Sequence, residues 1–220
     1  MESADRPNGP RSRKGTETRA RMVVAAKGVF EDNGYLEARI SDIAQRAGLS
    51  HGSFYHYFES KEEIFLEVVL AQEDLLSVHS IVDSGLLGRS THTSMRNRIC
   101  EAIRQYLAGY RDEARLMGVI EEVCRYNERV GTLRFERYRR YCVRTEDAVR
   151  RLQSQGLADT HLDPEIAAQA LSAMVTRFAE TWFVQHLLEC SFEEGVEQLT
   201  TLCINALGLR EPKSIGKGSD

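Results

Sequence analysis

The sequence predicts an all-α fold of about nine helices, three of them forming a small N-terminal head and the rest a larger helical domain. Two observations predict it. Three of the four prolines, Pro7, Pro10 and Pro212, sit near the ends, leaving a long interior in which helices can run. Apolar residues recur at three- and four-residue spacing, and no stretch shows the sustained alternation of a half-buried strand.

The elements follow in order. Residues 1–14 read as a flexible basic arm and 210–220 as a flexible tail, both rich in Gly, Ser, Pro and charge. The first helix spans about Thr16 to Asn33, with Val23, Ala26, Val29 and Phe30 on one face and Asn33-Gly34 ending it. Ser41 is placed to cap a short helix reaching Ala47, where Gly48 breaks the run. Another short helix covers about His51 to Phe58, and Ser60 with Glu63 makes a capping box for a helix to about Val82. Between Asp83 and Ser90 the pattern loosens around Gly85 and Gly88. Further helices are expected at about 92–110, 113–126, 129–154, 164–189 and 192–207, with Asp163-Pro164 and Ser191/Glu194 as start signals. The domains are then 15–62 for the head and 63–209 for the larger helical part.

Composition narrows the classes. With 220 residues, 42% hydrophobic and 28% charged, the chain is an ordinary globular one rather than a disordered one. No apolar run is long enough for a bilayer and Met1 to Arg21 lacks an apolar signal core, so a cytoplasmic protein with no membrane partner is expected. The net charge of -4 hides an asymmetry: residues 1–61 carry ten Lys/Arg against eight Asp/Glu, with Arg11, Arg13, Lys14, Arg19 and Arg21 clustered. Cys100, Cys124, Cys142, Cys190 and Cys203 form no C-x-x-C pair and are odd in number, which fits small buried hydrophobes better than disulfides or a metal site. No nucleophile elbow, phosphate loop or H-E-x-x-H occurs, so neither an enzyme nor a cofactor is expected.

Residues 41–58 carry the function. Two short helices that cross closely need a small residue at the crossing, supplied by Ala44, and a turn residue tolerant of positive φ, supplied by Gly48. Phe54 and Phe58, one helical turn apart, face inward with Ile43 and Leu49. The outer face holds Ser53, Tyr55, His56 and Tyr57, with no carboxylate until Glu59. An ordinary solvated helix would carry Glu and Lys there, whereas a helix meeting phosphates and base edges would not carry acids.

From Thr16 to about Val69 the sequence strongly resembles the tetracycline-repressor (TetR) family. The resemblance rests on Phe30…Asn33-Gly34-Tyr35, Ile40-Ser41-Asp42-Ile43-Ala44, Ala47-Gly48-Leu49-Ser50, Gly52-Ser53-Phe54-Tyr55-His56-Tyr57-Phe58 and Ser60-Lys61-Glu62-Glu63-Ile64. It implies a helix-turn-helix on double-stranded operator DNA, a homodimer with one reading head per subunit, and a regulatory domain whose last two helices pair across the dimer axis. Ser41 and Ser50 then fall at helix starts that contact phosphates, and His51, where Lys is common, gives a weaker, pH-dependent contact. Gly52 and Ser53 approach the groove, Tyr55 and His56 read bases or phosphates, Tyr57 adds a less outward ring, and Lys61 clamps a phosphate. Arg19 and Arg21 are the best-placed arm residues.

Beyond residue 83 the resemblance is one of architecture. Ile166, Ala170, Val175, Phe183, Leu187, Val196, Leu199, Cys203 and Leu207 form apolar stripes broad enough to need a partner subunit as cover. A small hydrophobic effector is expected among the helices spanning 92–189. Its candidate walls are Met95, Ile99, Tyr106, Met117, Ile120, Cys124, Tyr138, Cys142, Met174, Phe178 and Trp182, for which periodicity does not separate pocket from core. The run Arg134, Arg137, Arg139, Arg140 and Arg144 could face an anionic effector or lie on a solvated face with Glu136, Glu146 and Asp147. A repressor released by its effector is the leading expectation; an activator or effector-independent regulator of the same fold, and a helical interaction scaffold, are the alternatives.

Overall fold

The computed structural model describes residues 13–78 and 94–210, with side chains through residue 72 and from 94 onward. Residues 1–12 of the expected 1–14 arm, the joint near 83–90 and residues 211–220 of the expected tail lie outside them, while residues 13 and 14, expected in the arm, open α1. The described residues form nine helices and no strand: α1 Arg13–Glu37, α2 Ile40–Arg46, α3 His51–Phe54, α4 Lys61–Val78, α5 Met95–Asp112, α6 Ala114–Val123, α7 Glu128–Ser154, α8 Pro164–Phe183 and α9 Phe192–Leu207. They divide into two compact units, one of residues up to 74 together with 115–131, the other of 75–114 together with 132 onward. α6 and the start of α7 belong with the N-terminal helices.

In the first unit α1 packs on α2 and α2 on α3. Helical geometry in α1 breaks at Gly34, whose φ of 72° suits glycine, in the place where Asn33-Gly34 announces a stop. Gly48, at φ 68°, makes the tight turn between α2 and α3. Phe30, Ile43, Phe54, Ile64 and Phe65 are fully buried, each such side chain stabilising by roughly 1.5–3 kcal/mol relative to exposure. Phe65 meets Phe30 edge-on at 4.9 Å and Tyr35 at 4.8 Å, joining α1 to α4. The second part of this unit is tied in by polar contacts. Asn127 Nδ2 donates to Glu62 at 3.1 Å while its Oδ1 accepts from the Val130 N–H at the start of α7.

In the second unit α5, α8 and α9 pack on one another. Ile103, Leu107, Ala148, Val149, Ala179, Val196 and Leu199 have no exposed surface. Gly195 of α9 is required by close approach: a Cβ there would overlap the indole of Trp182 on α8. Asp163 caps α8 by accepting from the Ile166 N–H at 2.9 Å with Pro164 in the first turn, and Ser191 caps α9 through the Glu194 N–H at 3.2 Å. Gln153 Nε2 donates to the carbonyls of Asp159 and Leu162, both at 2.8 Å, and fixes the α7–α8 connection.

The observed boundaries correct two expectations. Ser41 does not cap α2: the helix starts at Ile40 after Arg39, with no side-chain cap, and the Ser41 hydroxyl donates to Asp42 instead. α8 stops at Phe183 rather than near 189, because the chain turns back on itself there. The Leu187 N–H bonds to the Thr181 carbonyl at 3.1 Å, and His186 takes a left-handed φ of 53°.

Candidate functional site

The exposed end of the first unit is built on α2 and α3. Ser50 N-caps α3, accepting from the Ser53 N–H at 3.3 Å, with the two hydroxyls 2.8 Å apart. Regular helix covers only His51–Phe54, four residues fewer than expected. The chain continues in hydrogen-bonded turns, Tyr57 N–H to Phe54 O at 2.9 Å and Phe58 N–H to Phe54 O at 3.1 Å.

Phe54 and Phe58 are buried with ring centroids 5.7 Å apart, and they hold this segment onto the core from behind. Their inward position turns the residues between them outward. Tyr55 is 52% exposed, His56 is exposed and Tyr57 is half-buried. The exposed His51 ring meets Tyr55 edge-on at 5.5 Å, which props the tyrosine. Gly52 has open space around its α-carbon. Ser41, Ser50, His51, Gly52, Tyr55 and His56 are thus exposed in one head, with Ser53 half-buried among them.

Two expected phosphate contacts have other work. The Lys61 ammonium donates to the carbonyls of Tyr35 at 2.8 Å, Leu36 at 3.0 Å and Ala38 at 2.9 Å, using all three of its hydrogens. Burial holds its pKa below the ordinary lysine value, with the charge of Glu37 acting the other way. Arg19 bonds Glu67 of α4 at 2.8 Å and lies 4.6 Å over the Phe58 ring. That hydrogen bond holds the Glu67 carboxyl below its usual range, against the opposing effect of burial. Neither partner is near in sequence, so no local pattern announced either role. Arg21 remains exposed.

α2 is fastened from its other end. Arg46 bonds Asp32 of α1 at 2.6 Å, its guanidinium lying where a Cβ on Gly28 would come within 2.7 Å. Arg115 of α6 approaches the other Asp32 oxygen at 3.4 Å. The Arg46 bond, first among the causes, lowers the Asp32 pKa.

The second unit sorts the remaining candidates. Tyr106, Tyr138, Met174 and Phe178 are half-buried, whereas Met95, Ile99, Cys142 and Trp182 are core. Met117, Ile120 and Cys124 belong to the first unit, apart from the other candidate walls. Val175, Val196, Leu199, Cys203 and Leu207 do not form an outward stripe. They are buried within the chain itself, because α8 and α9 pack on α5 and on each other. Ile166 at 69%, Leu187 at 70% and the small Ala170 remain exposed, Phe183 is half-buried, and Leu202, not among those candidates, is 50% exposed on α9. Sequence reasoning also passed over Tyr110 and Tyr141, which burial raises together with Tyr106. Their spacing from Tyr106 and Arg137 along α5 and α7 was the available signal.

Among the described residues no helix is long and apolar enough to cross a membrane, and no group of three or more His, Cys, Asp or Glu could hold a metal ion.

A short helix capped by a serine, a left-handed glycine before it and an outward face free of acids define a helix-turn-helix DNA-binding protein. Residues 23–68 match the model of the bacterial regulatory proteins of the tetR family. It is similar to the HTH-type transcriptional regulator YdgC of Bacillus subtilis (strain 168), 26% identical over 212 residues, 94% of this chain and 97% of that one. A protein of Escherichia coli (strain K12) named for repression of the acrEF/envCD operon is 21% identical over 171 residues, 76% of this chain and 77% of the relative. A solved structure from Saccharomonospora viridis, described as a transcriptional regulator in complex with choline, superposes with a TM-score of 0.71 at 23% identity. It covers 86% of this chain and 96% of that chain.

Proposed function

We propose that this transcriptional regulator is a homodimeric repressor that holds a palindromic operator and releases it on binding a small hydrophobic effector in the cytoplasm. The observation that carries the DNA half is the split between Phe54/Phe58 and Tyr55/His56: the first pair is sunk in the core, the second presented outward with no acid among them. Ser50, His51, Gly52 and Ser53 approach the phosphates and the groove edge, Tyr55 and His56 read, and Tyr57 supports them from a half-buried position. Ser41 and Arg21 contact flanking phosphates. Lys61 and Arg19 serve the head rather than the DNA, since their hydrogen bonds are directed within it.

Repression is favoured by the named role of the Escherichia coli relative, and effector binding by the choline complex of the Saccharomonospora protein. The effector acts only through unequal affinity for the DNA-competent and incompetent states. The exposed Ile166, Ala170, Leu187 and Leu202 supply the apolar surface for a second subunit.

Electrophoretic shift on the DNA upstream of the protein's own reading frame tests the function. A retarded complex that survives a large excess of random DNA is expected. Retardation abolished equally by random DNA would overturn specific operator binding.

A further inference from the structure

α2 has 7 residues, too few for a helix to be stable by itself, so its direction depends on what fastens it. At its start Arg39 provides no side-chain cap. In its middle Ile43 and Ala44 are buried. At its end Arg46 reaches across to α1, where its guanidinium lies 2.6 Å from one Asp32 oxygen. The other Asp32 oxygen stands 3.4 Å from Arg115 of α6, so both oxygens of the carboxylate are engaged and it is held facing Arg46. Gly28 lies one helical turn before Asp32, and the Arg46 guanidinium occupies the space beside it. A Cβ on Gly28 would come within 2.7 Å of that group.

The turn after Arg46 passes the direction of α2 on to α3. The Ala47 N–H donates to the Ile43 carbonyl at 3.0 Å, the Gly48 N–H to Gln45 at 2.9 Å and the Leu49 N–H to Ala44 at 2.9 Å. These bonds close the turn onto the end of α2, so a tilt of α2 carries α3 with it, and with α3 the outward Tyr55 and His56. The Asp32–Arg46 pair is about half solvated on both sides and adds little to stability. Asp32 is also an acid in a head that meets phosphates, and its charge by itself opposes that encounter.

We infer that Asp32 is a positioning residue for DNA binding: through Arg46 it sets the angle at which α2 presents α3, and Gly28 is small to admit the guanidinium. The role presupposes that the head binds operator DNA, and names the residue that aims it. Its sign is opposite to that of simple electrostatics. Removing an acid tightens DNA binding through charge alone. Removing this one loosens it, because a reading segment held off its angle loses base contacts while the attraction to phosphates persists.

Fluorescence anisotropy of the full chain with two duplexes tests it, one selected from a random pool by the wild-type protein and one of random sequence. Asp32→Asn is expected to bind the selected duplex about tenfold more weakly and the random duplex no more weakly than the wild type. Asp32→Glu, which keeps the carboxylate, should stay within about threefold of the wild type. Arg46→Gln should also cost about tenfold at an unchanged salt slope, and combined with Asp32→Asn it should be no weaker than either alone. Gly28→Ala changes no charge and favours the helix, so its melting temperature should not fall, yet by displacing the guanidinium it should cost about threefold. Thermal melts check that each variant folds; if an Asp32 or Arg46 variant does not, Gly28→Ala decides. Unchanged or tighter binding by Asp32→Asn, or unchanged binding by Gly28→Ala, would overturn the positioning role. So would a salt slope lowered by about one in Arg46→Gln, the mark of a direct phosphate contact. A wild type that selects no duplex would overturn operator binding itself, whereas selection with every variant indifferent overturns the positioning role alone.

Discussion

Lys61 reaches back from the start of α4 to the Tyr35 carbonyl at 2.8 Å, and its ammonium lies 4.8 Å over the Tyr35 ring. One cation thus closes the carbonyls left open where α1 ends and joins the first and fourth helices of the head. The same residue stands where the family resemblance places a phosphate contact, and the two roles make different predictions. Lys61→Met should destabilise the protein by roughly 1–3 kcal/mol, through carbonyls left unsatisfied. The slope of log affinity for DNA against log salt should stay as in the wild type. A slope reduced by about one, with stability unchanged, would show a phosphate contact instead.

The Arg19–Glu67 pair makes the head acid-sensitive. Because Arg19 lowers the folded-state pKa of Glu67 below the ordinary 4.5, its stabilisation is present in full above that value and is lost as pH falls through the lowered one. Arg19, raised further by its bond to Glu67, stays charged throughout and adds no slope in this range. The pair is partly solvated, so its contribution is under about 1 kcal/mol. Melting temperatures of the wild type and Glu67→Gln should differ at pH 7 and draw together only as pH falls below about 4.5 through the lowered Glu67 value. A constant gap down to pH 3 would contradict this.

Gly195 is small because Trp182 occupies the space beside it. Gly195→Ala should destabilise by about 1–3 kcal/mol, the usual cost of overpacking, despite alanine's better helix propensity. Trp182 is the only tryptophan, so its emission reports the displacement directly. An unchanged spectrum with a raised melting temperature would show that the indole has room to move.

Apolar residues on α8 and α9 separate into two kinds. Ile166→Glu and Leu202→Glu place a charge on exposed positions and should shift sedimentation from dimer to monomer while leaving the helical signal intact. Leu199→Glu, at a position with no exposure, should unfold the chain instead. Both exposed variants remaining dimeric would place the subunit contact elsewhere.

Much of the fold was legible because its signals are local. Ser50, Ser191 and Asp163-Pro164 cap helices a few residues away, and Gly34 and Gly48 take positive φ where a turn demands it. The inward Phe54 and outward Tyr55 followed from spacing alone. What escaped depends on contacts distant in sequence. Nothing near Lys61 or Arg19 signals Tyr35 or Glu67, and the apolar face of α6 signals burial without naming the first unit as its cover. The stripes of α8 and α9 were read as one surface because periodicity marks an apolar position and not the neighbour that hides it. The early end of α8 turns on a left-handed histidine, a residue type that gives no warning.

Binding of the upstream DNA measured by fluorescence anisotropy, for the wild type and for Tyr55→Ala, bears most directly on the helix-turn-helix as the reading surface. Tyr55 is exposed, so its truncation should leave melting temperature and sedimentation unchanged while weakening binding about tenfold or more. Equal affinity for the two proteins, or a Tyr55→Ala protein that no longer folds, would contradict it.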